Sequence, residues 1–156
     1  MNTQSKKDIR DNSRSAMHPE TLALIEKSSL ERKNNPIDFF SQCMASYFQI
    51  NGKDRFIRDF ARELHEAPWS AEDMIICLKY IAHNPPTNLV SIIEDEGRLE
   101  LYNQKGIKST YDDYVKWLKH LVSFLEMIYN SPPHNESEII ILDESFKKSM
   151  NEICDR

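Results

Sequence analysis

Arg55, Arg58 and Arg62 follow one another at steps of three and four residues, so on a helix their guanidinium groups form one row. Such a row can grip phosphates or a partner's carboxylates, because each guanidinium offers a planar fork of donors that matches both groups. A salt-bridged surface is the competing use of the same residues. Asp54 lies four residues before Arg58, Asp59 four after Arg55 and Glu66 four after Arg62, and exposed intrahelical pairs of this kind contribute only about 0.2–0.5 kcal/mol each. A second set of residues with chemistry to offer is aromatic: Trp117 and Phe124, seven apart on one helix face, with Trp69 in a preceding turn. Large aromatics either fill a core, where burial is worth on the order of 1.5–3 kcal/mol each, or anchor an interface. Arg55, Arg58, Arg62, Trp117 and Phe124 are therefore the candidate partner-binding residues.

Catalytic chemistry finds no comparable grouping. There is no GxSxG elbow, and three glycines, at 52, 97 and 106, leave no glycine-rich loop to cradle phosphates. The acidic run Glu94-Asp95-Glu96 sits at a helix end, where consecutive carboxylates point into solvent in different directions. No HExxH, paired CxxC or ExxH spacing occurs; His18, His65, His83, His120 and His134 lie on separate segments, and Cys77 falls on the opposite helix side from His83. The expectation is no catalytic residue, no metal and no cofactor.

Composition narrows the class. The chain of 156 residues is 40% hydrophobic and 29% charged with a net charge of −5, ordinary for one globular domain. Few glycines argue against a fold of hairpins and tight turns. The acidic balance disfavours broad attraction to polyanions, so a nucleic-acid surface would have to be local. No run reaches the roughly 18 apolar residues of a membrane span, and the first residues lack the apolar stretch of a signal peptide, which predicts a cytoplasmic protein that does not enter a membrane. Residues 1–17 read as a flexible polar arm carrying Lys6, Lys7, Arg10 and Arg14, compatible also with an export signal of another type. Cys43, Cys77 and Cys154, widely spaced and odd in number, read as reduced thiols.

The elements that must position these residues are helices. Pro19 opens a weakly amphipathic first helix with Leu22, Ile25 and Leu30. Asn35-Pro36 starts a second, to about Gln49, with Asn35 as cap and the stripe Ile37, Phe40, Met44, Tyr47 and Phe48. After Asn51-Gly52 a third, from about Lys53 to Glu66, buries Phe56, Ile57, Phe60, Ala61 and Leu64, and Pro68 ends it. Ser70 and Asp73 have capping-box spacing before Met74 to His83, a segment apolar nearly all round and so central to a bundle. Thr87 caps a short helix that Gly97 closes. Residues 98–108, where Leu99 and Leu101 alternate with charges around Asn103-Gln104-Lys105-Gly106, predict at most one minor β-hairpin. The long helix 110–130 repeats Tyr111, Tyr114, Leu118, Leu121, Leu125 and Ile128 at steps of three and four, opened by Ser109 and Asp112. Its added rows, Val115, Val122 and Tyr129 beside Trp117 and Phe124, make the apolar stripe too wide for a two-helix seam. Ile139 to Leu142 fits a strand or the start of a helix continued by Phe146, Met150 and Ile153.

These readings combine into an all-α, compact bundle of about six or seven helices, one domain over residues 18–156, centred on the segments 73–83 and 110–130. The function they imply is a non-catalytic, intracellular protein-interaction module: an adaptor, inhibitor, immunity-type or regulatory protein whose partner, another protein or a second copy in a homodimer, meets a helical face. The alternative is a nucleic-acid-associated regulator using the basic arm and the Arg55, Arg58, Arg62 row. A helix-turn-helix over 53–83 is contradicted by its second helix, since Met74 to His83 has almost no polar side chain to present to base edges.

Overall fold

A computed structural model describes residues 18–50, 55–102 and 105–153, apart from the side chains of 49, 50 and 151–153. The polar arm 1–17, the Asn51-Gly52 break, Asn103-Gln104 and Cys154 lie outside those residues. Among the described residues there are seven helices and no strand: α1 (Pro19–Asn34), α2 (Pro36–Cys43, continued in π-helical winding by Met44–Ile50), α3 (Phe56–Glu66), α4 (Pro68–His83), α5 (Leu89–Ser91, continued as π-helix by Ile92–Glu96), α6 (Tyr111–Asn130) and α7 (Glu136–Ile153). They pack as a compact all-α bundle. None is long and apolar enough to cross a membrane.

Proline sets three of the corners. Pro19, Pro36 and Pro68 each occupy a first-turn position, where the missing N–H has no intrahelical partner to lose. The residue before a proline avoids helical dihedrals, and both Asn35 (φ −128°) and Ala67 (φ −144°) are turned out of the helix there. Asn35 does not cap α2 with its side chain; its Nδ2 donates to the Glu31 carbonyl at 3.0 Å and closes α1 instead. α4 likewise begins at Pro68, without a Ser70–Asp73 box, because Asp73 is drawn into ion pairs with α1.

α4 is the centre. It packs against α1, α2, α3 and α6, and buries Ala71, Met74, Ile75, Cys77, Leu78, Ile81 and Ala82. Its apolar belt is incomplete, however, since Ile76 and Tyr80 remain 42% and 52% exposed. α6 lies alongside and buries Tyr114, Trp117, Leu118, Leu121, Val122, Phe124, Leu125, Ile128 and Tyr129, three rows of its surface. α5 and α7 cover the remaining sides of α6. The segment 139–142 is therefore helix, and Phe146 and Met150 of α7 enter the core.

One local geometry differs from the expected pattern. Gly97 does not supply the left-handed residue after α5; Arg98 does, at φ 51°. Gly97 is needed for close approach, because a Cβ there would lie 2.6 Å from Met44 Cε and 2.7 Å from the Ile93 carbonyl oxygen. Met44 opens the π-helical part of α2, so the two π-segments meet over this glycine. Among the described residues of 98–108 the pairing is an isolated antiparallel bridge, Tyr102 with Lys108, within the expectation of at most one minor hairpin. Leu99 and Leu101 are buried as their alternation predicts, the Leu101 N–H donates to the Tyr114 hydroxyl at 3.0 Å, and Gly106 turns the chain at φ 77°.

The cap of α6 falls one residue after the expected one. Thr110 Oγ1 accepts from the Asp113 N–H at 3.3 Å, and Asp113 Oδ2 accepts from the Thr110 N–H at 2.9 Å. The bond from the Thr110 backbone holds the Asp113 carboxyl below its ordinary range. Thr110→Ala is expected to lower stability by about 0.5–2 kcal/mol, read from urea unfolding followed by circular dichroism. A group whose pKa is depressed by folding contributes above its unfolded pKa and stops contributing as pH falls through the folded one. The stability gap between Asp113→Asn and the parent chain should therefore close on acidification; a gap independent of pH contradicts this account of the cap.

Candidate functional site

α3 is strongly amphipathic. Phe56, Ile57, Phe60, Ala61 and Leu64 face the core, which turns Arg55, Arg58 and Arg62 to the outside as the expected row. The counter-ions differ from the expected i,i+4 set. Arg62 Nη2 meets Asp59 Oδ1 at 3.1 Å, one helical step back, and Arg58 Nε lies 3.8 Å from Asp143 Oδ2 of α7. The same Asp143 oxygen receives Lys147 Nζ at 3.2 Å. Asp54 lies outside the described residues.

Packing explains why Asp143 arrives there. Phe146 of α7 sits 6.0 Å from Phe56 and 5.2 Å from Phe124, which docks α7 across α3 and α6. One helical step before Phe146, Asp143 lands against Arg58. Asp143 and Asp59 are themselves buried, at 3% and 5% exposure, whereas the Arg58, Arg62 and Lys147 side chains remain 47%, 61% and 42% exposed. Asp143 Oδ1 and Asp59 Oδ2 accept no hydrogen bond within the described structure. Two cations, Arg58 and Lys147, thus share one buried carboxylate oxygen. Burying a carboxylate has a desolvation cost that half-exposed partners do not fully offset. The effect is positional: Asp143 faces Arg58 and Lys147, and Asp59 faces Arg62, along the α3–α7 edge. The sequence signal for Asp143 was its place in the same three-four rhythm as Phe146 and Met150, a carboxylate where an apolar side chain is expected.

Trp117 and Phe124 are placed elsewhere. They are 3% and 7% exposed, and their surfaces are taken up inside the chain: Phe48 meets Trp117 at 5.6 Å, and Phe146 meets Phe124 at 5.2 Å. Phe48 also stacks on Phe56 at 4.6 Å, so these rings join the π-helical end of α2, α3, α6 and α7 in one aromatic layer. The width of the α6 stripe is filled by this chain's own helices, and the arginines and these aromatics do not form one site. Trp69 is half-buried.

The acidic run does not converge either. Glu94 pairs with Lys108 at 2.9 Å, while Asp95 and Glu96 join Asp38 around an open groove of about 310 Å³ floored by Ile37 and Ile92. Among the described residues no group of three His, Cys, Asp or Glu stands close enough to hold a metal ion. Cys43 and Cys77 are buried free thiols. Burial pushes both up, Cys77 to about 11 with the nearby Asp73 charge adding to the effect, so neither is a thiolate nucleophile near neutral pH. Comparison with known proteins finds no protein family, no curated protein and no solved structure that matches this chain.

Two measurements check this division between core and edge. Trp117→Ala or Phe124→Ala should lower unfolding free energy by about 3–5 kcal/mol, and a change under about 1 kcal/mol would place the ring at the surface. Asp143→Leu should change stability by less than about 1 kcal/mol, since the desolvation cost of the carboxylate offsets its attraction and the half-exposed Arg58 and Lys147 that it leaves stay in contact with water. A marked loss in urea unfolding would show that the carboxylate holds the fold rather than the cations.

Proposed function

We propose that this chain is a non-catalytic protein-interaction module, and that its partner is a protein presenting an acidic surface to the α3–α7 edge. The observation that carries the reading is the positioning of Arg58, Arg62 and Lys147 by the buried Asp143 and Asp59. Cations already held in place lose less conformational freedom on binding than mobile ones, and opposite charge on the partner raises the encounter rate and fixes its orientation. Arg55 extends the row by one turn. Apolar contact is available beside it from Ile140 on α7, 38% exposed, one step before Asp143. Candidates for a second copy as partner are served by the same edge, with the acidic groove around Asp38 and Asp95 as its counterpart.

The test compares the full-length chain with a triple charge reversal, Arg55→Glu, Arg58→Glu and Arg62→Glu, and with a control reversal of the exposed Lys116 and Lys119 on α6. Proteins captured from a lysate of the source cells are quantified for all three. A partner that the parent and the control capture equally, and that the triple variant loses at least about tenfold, about 1.4 kcal/mol, supports the reading. Equal capture by all three overturns it. Light scattering of each sample separates self-association from a second protein. Retarded mobility of duplex DNA or RNA at low salt, lost with the arginines and falling steeply as salt is added, would establish nucleic-acid binding in its place.

A further inference from the structure

α1 is attached to the bundle unlike any other long helix. It contributes no residue to the apolar core, and Ser29 is its one buried residue. Leu24 and Leu30 are 67% and 60% exposed, and Leu22 and Ile25 are only half-buried, so its apolar contact is shallow. Its ion pairs lie in its last turn. Asp73 of α4, buried at 2% exposure, accepts from Arg32 Nη2 at 2.7 Å on Oδ2 and faces Lys33 Nζ at 3.5 Å on Oδ1. The Arg32 guanidinium lies 5.5 Å from the Phe39 ring centre, and the Cys77 thiol points to the Arg32 carbonyl at 3.8 Å. A single residue, Asn35, then joins α1 to α2.

From this attachment we infer that α1 is an ionically latched strap, which opens as a unit while α2–α7 stays folded and uncovers the α2–α4 surface around Asp73. When an apolar helix leaves a core, every buried methylene is exposed to water at a cost. When α1 leaves, a carboxylate, a guanidinium and an ammonium are exposed and water solvates all three, while the apolar surface uncovered is confined to half-buried Leu22 and Ile25 and the strip beneath them, with no residue of α1 drawn from the core. The opening free energy is therefore small beside that of the whole fold, which is the condition for a local opening unit. Salt favours it further by screening the partly exposed members of the latch. The surface laid bare holds Asp73, Cys77 and Phe39, and it adjoins Ile76 and Tyr80, which are exposed already. It is an apolar strip with one carboxylate at its middle, suited to an amphipathic helix whose cation takes the place of Arg32. This inference does not rest on the α3–α7 edge, which lies on other helices.

Two cysteines serve as built-in reporters. In the full-length chain with Cys154→Ser, Cys77 lies under the strap and Cys43 within the α2 core. Native alkylation by iodoacetamide, read residue by residue by mass spectrometry, is compared for the parent and for the double variant Arg32→Gln with Lys33→Gln. Burial and Asp73 raise the Cys77 pKa and both cations lower it, so loss of the cations slows labelling through charge alone and only exposure of the thiol speeds it. Opening of the strap predicts that the double variant labels Cys77 at least about tenfold faster, corresponding to about 1.4 kcal/mol, and that Cys43 keeps its parent rate. Cys43 and Cys77 accelerating together would mean that α1 and the core open as one, and an unchanged or slower Cys77 would mean that the ion pairs are not the latch; either overturns the inference. Should the double variant fail to fold, amide exchange on the parent decides: α1 must exchange at least about tenfold faster than α4 and α6, and equal protection overturns the strap.

Discussion

The structure is organised around the need to cover α4. A helix apolar on nearly every side can be stable in water only when neighbours surround it, and α2, α3 and α6 meet that need with buried side chains packed against it. Leu118, Leu121 and Leu125 of α6 are fully buried beside it, as are Phe40 of α2 and Phe60 of α3. Polar contacts at the ends trim the α4–α6 pair without driving it: the Tyr129 hydroxyl meets Glu72 at 2.7 Å, and Lys79 meets Glu126 at 3.3 Å. The helices further out are placed by what α6 still leaves uncovered. α7 closes over its aromatic rows through Phe146, and α5 with the 98–108 segment closes the end near Tyr114.

Three buried carboxylates mark the places where this apolar logic stops. Asp59, Asp73 and Asp143 each lie below 6% exposure, and each faces an arginine or lysine whose charge still reaches water. None of these pairs is a strong source of stability, since burial of the acid opposes the attraction it makes possible. They have directional consequences instead. On α3 and α7 they raise cations into an ordered row at the surface. Between α1 and α4 the same chemistry has a larger share, since α1 adds no residue to the apolar core and its last turn meets α4 through Asp73. One type of interaction thus lines up cations at the surface in one place and joins two helices in another.

The backbone adapts where bulky residues meet. The π-helical winding after Cys43 and after Ser91 brings Met44 against Gly97, a contact that only a residue without a Cβ permits. It also sends Phe48 into the layer formed with Phe56 and Trp117, where ring pairs add about 0.5–1.5 kcal/mol each beyond their burial. The widths of α2 and α5 are thereby fitted to the aromatic layer and to each other.

Helix content, the extent of α6 and the central position of α4 were legible in the amino-acid order, because they depend on the spacing of apolar residues along a chain whose local geometry repeats every 3.6 residues. The outward row Arg55, Arg58, Arg62 was legible for the same reason. Tertiary contacts decided what these residues do. Asp143, eighty-five residues from Arg58 in the chain, became its counter-ion; Asp73 became the ion-pair partner of Arg32 instead of a cap; Phe48 and Phe146 turned Trp117 and Phe124 into core; and Ile139 to Leu142 became helix because α7 had α3 and α6 to pack upon. Periodicity says which face a side chain shares, whereas its partner on that face is chosen by segments remote in sequence, through which acceptor or ring comes nearest once the core has closed.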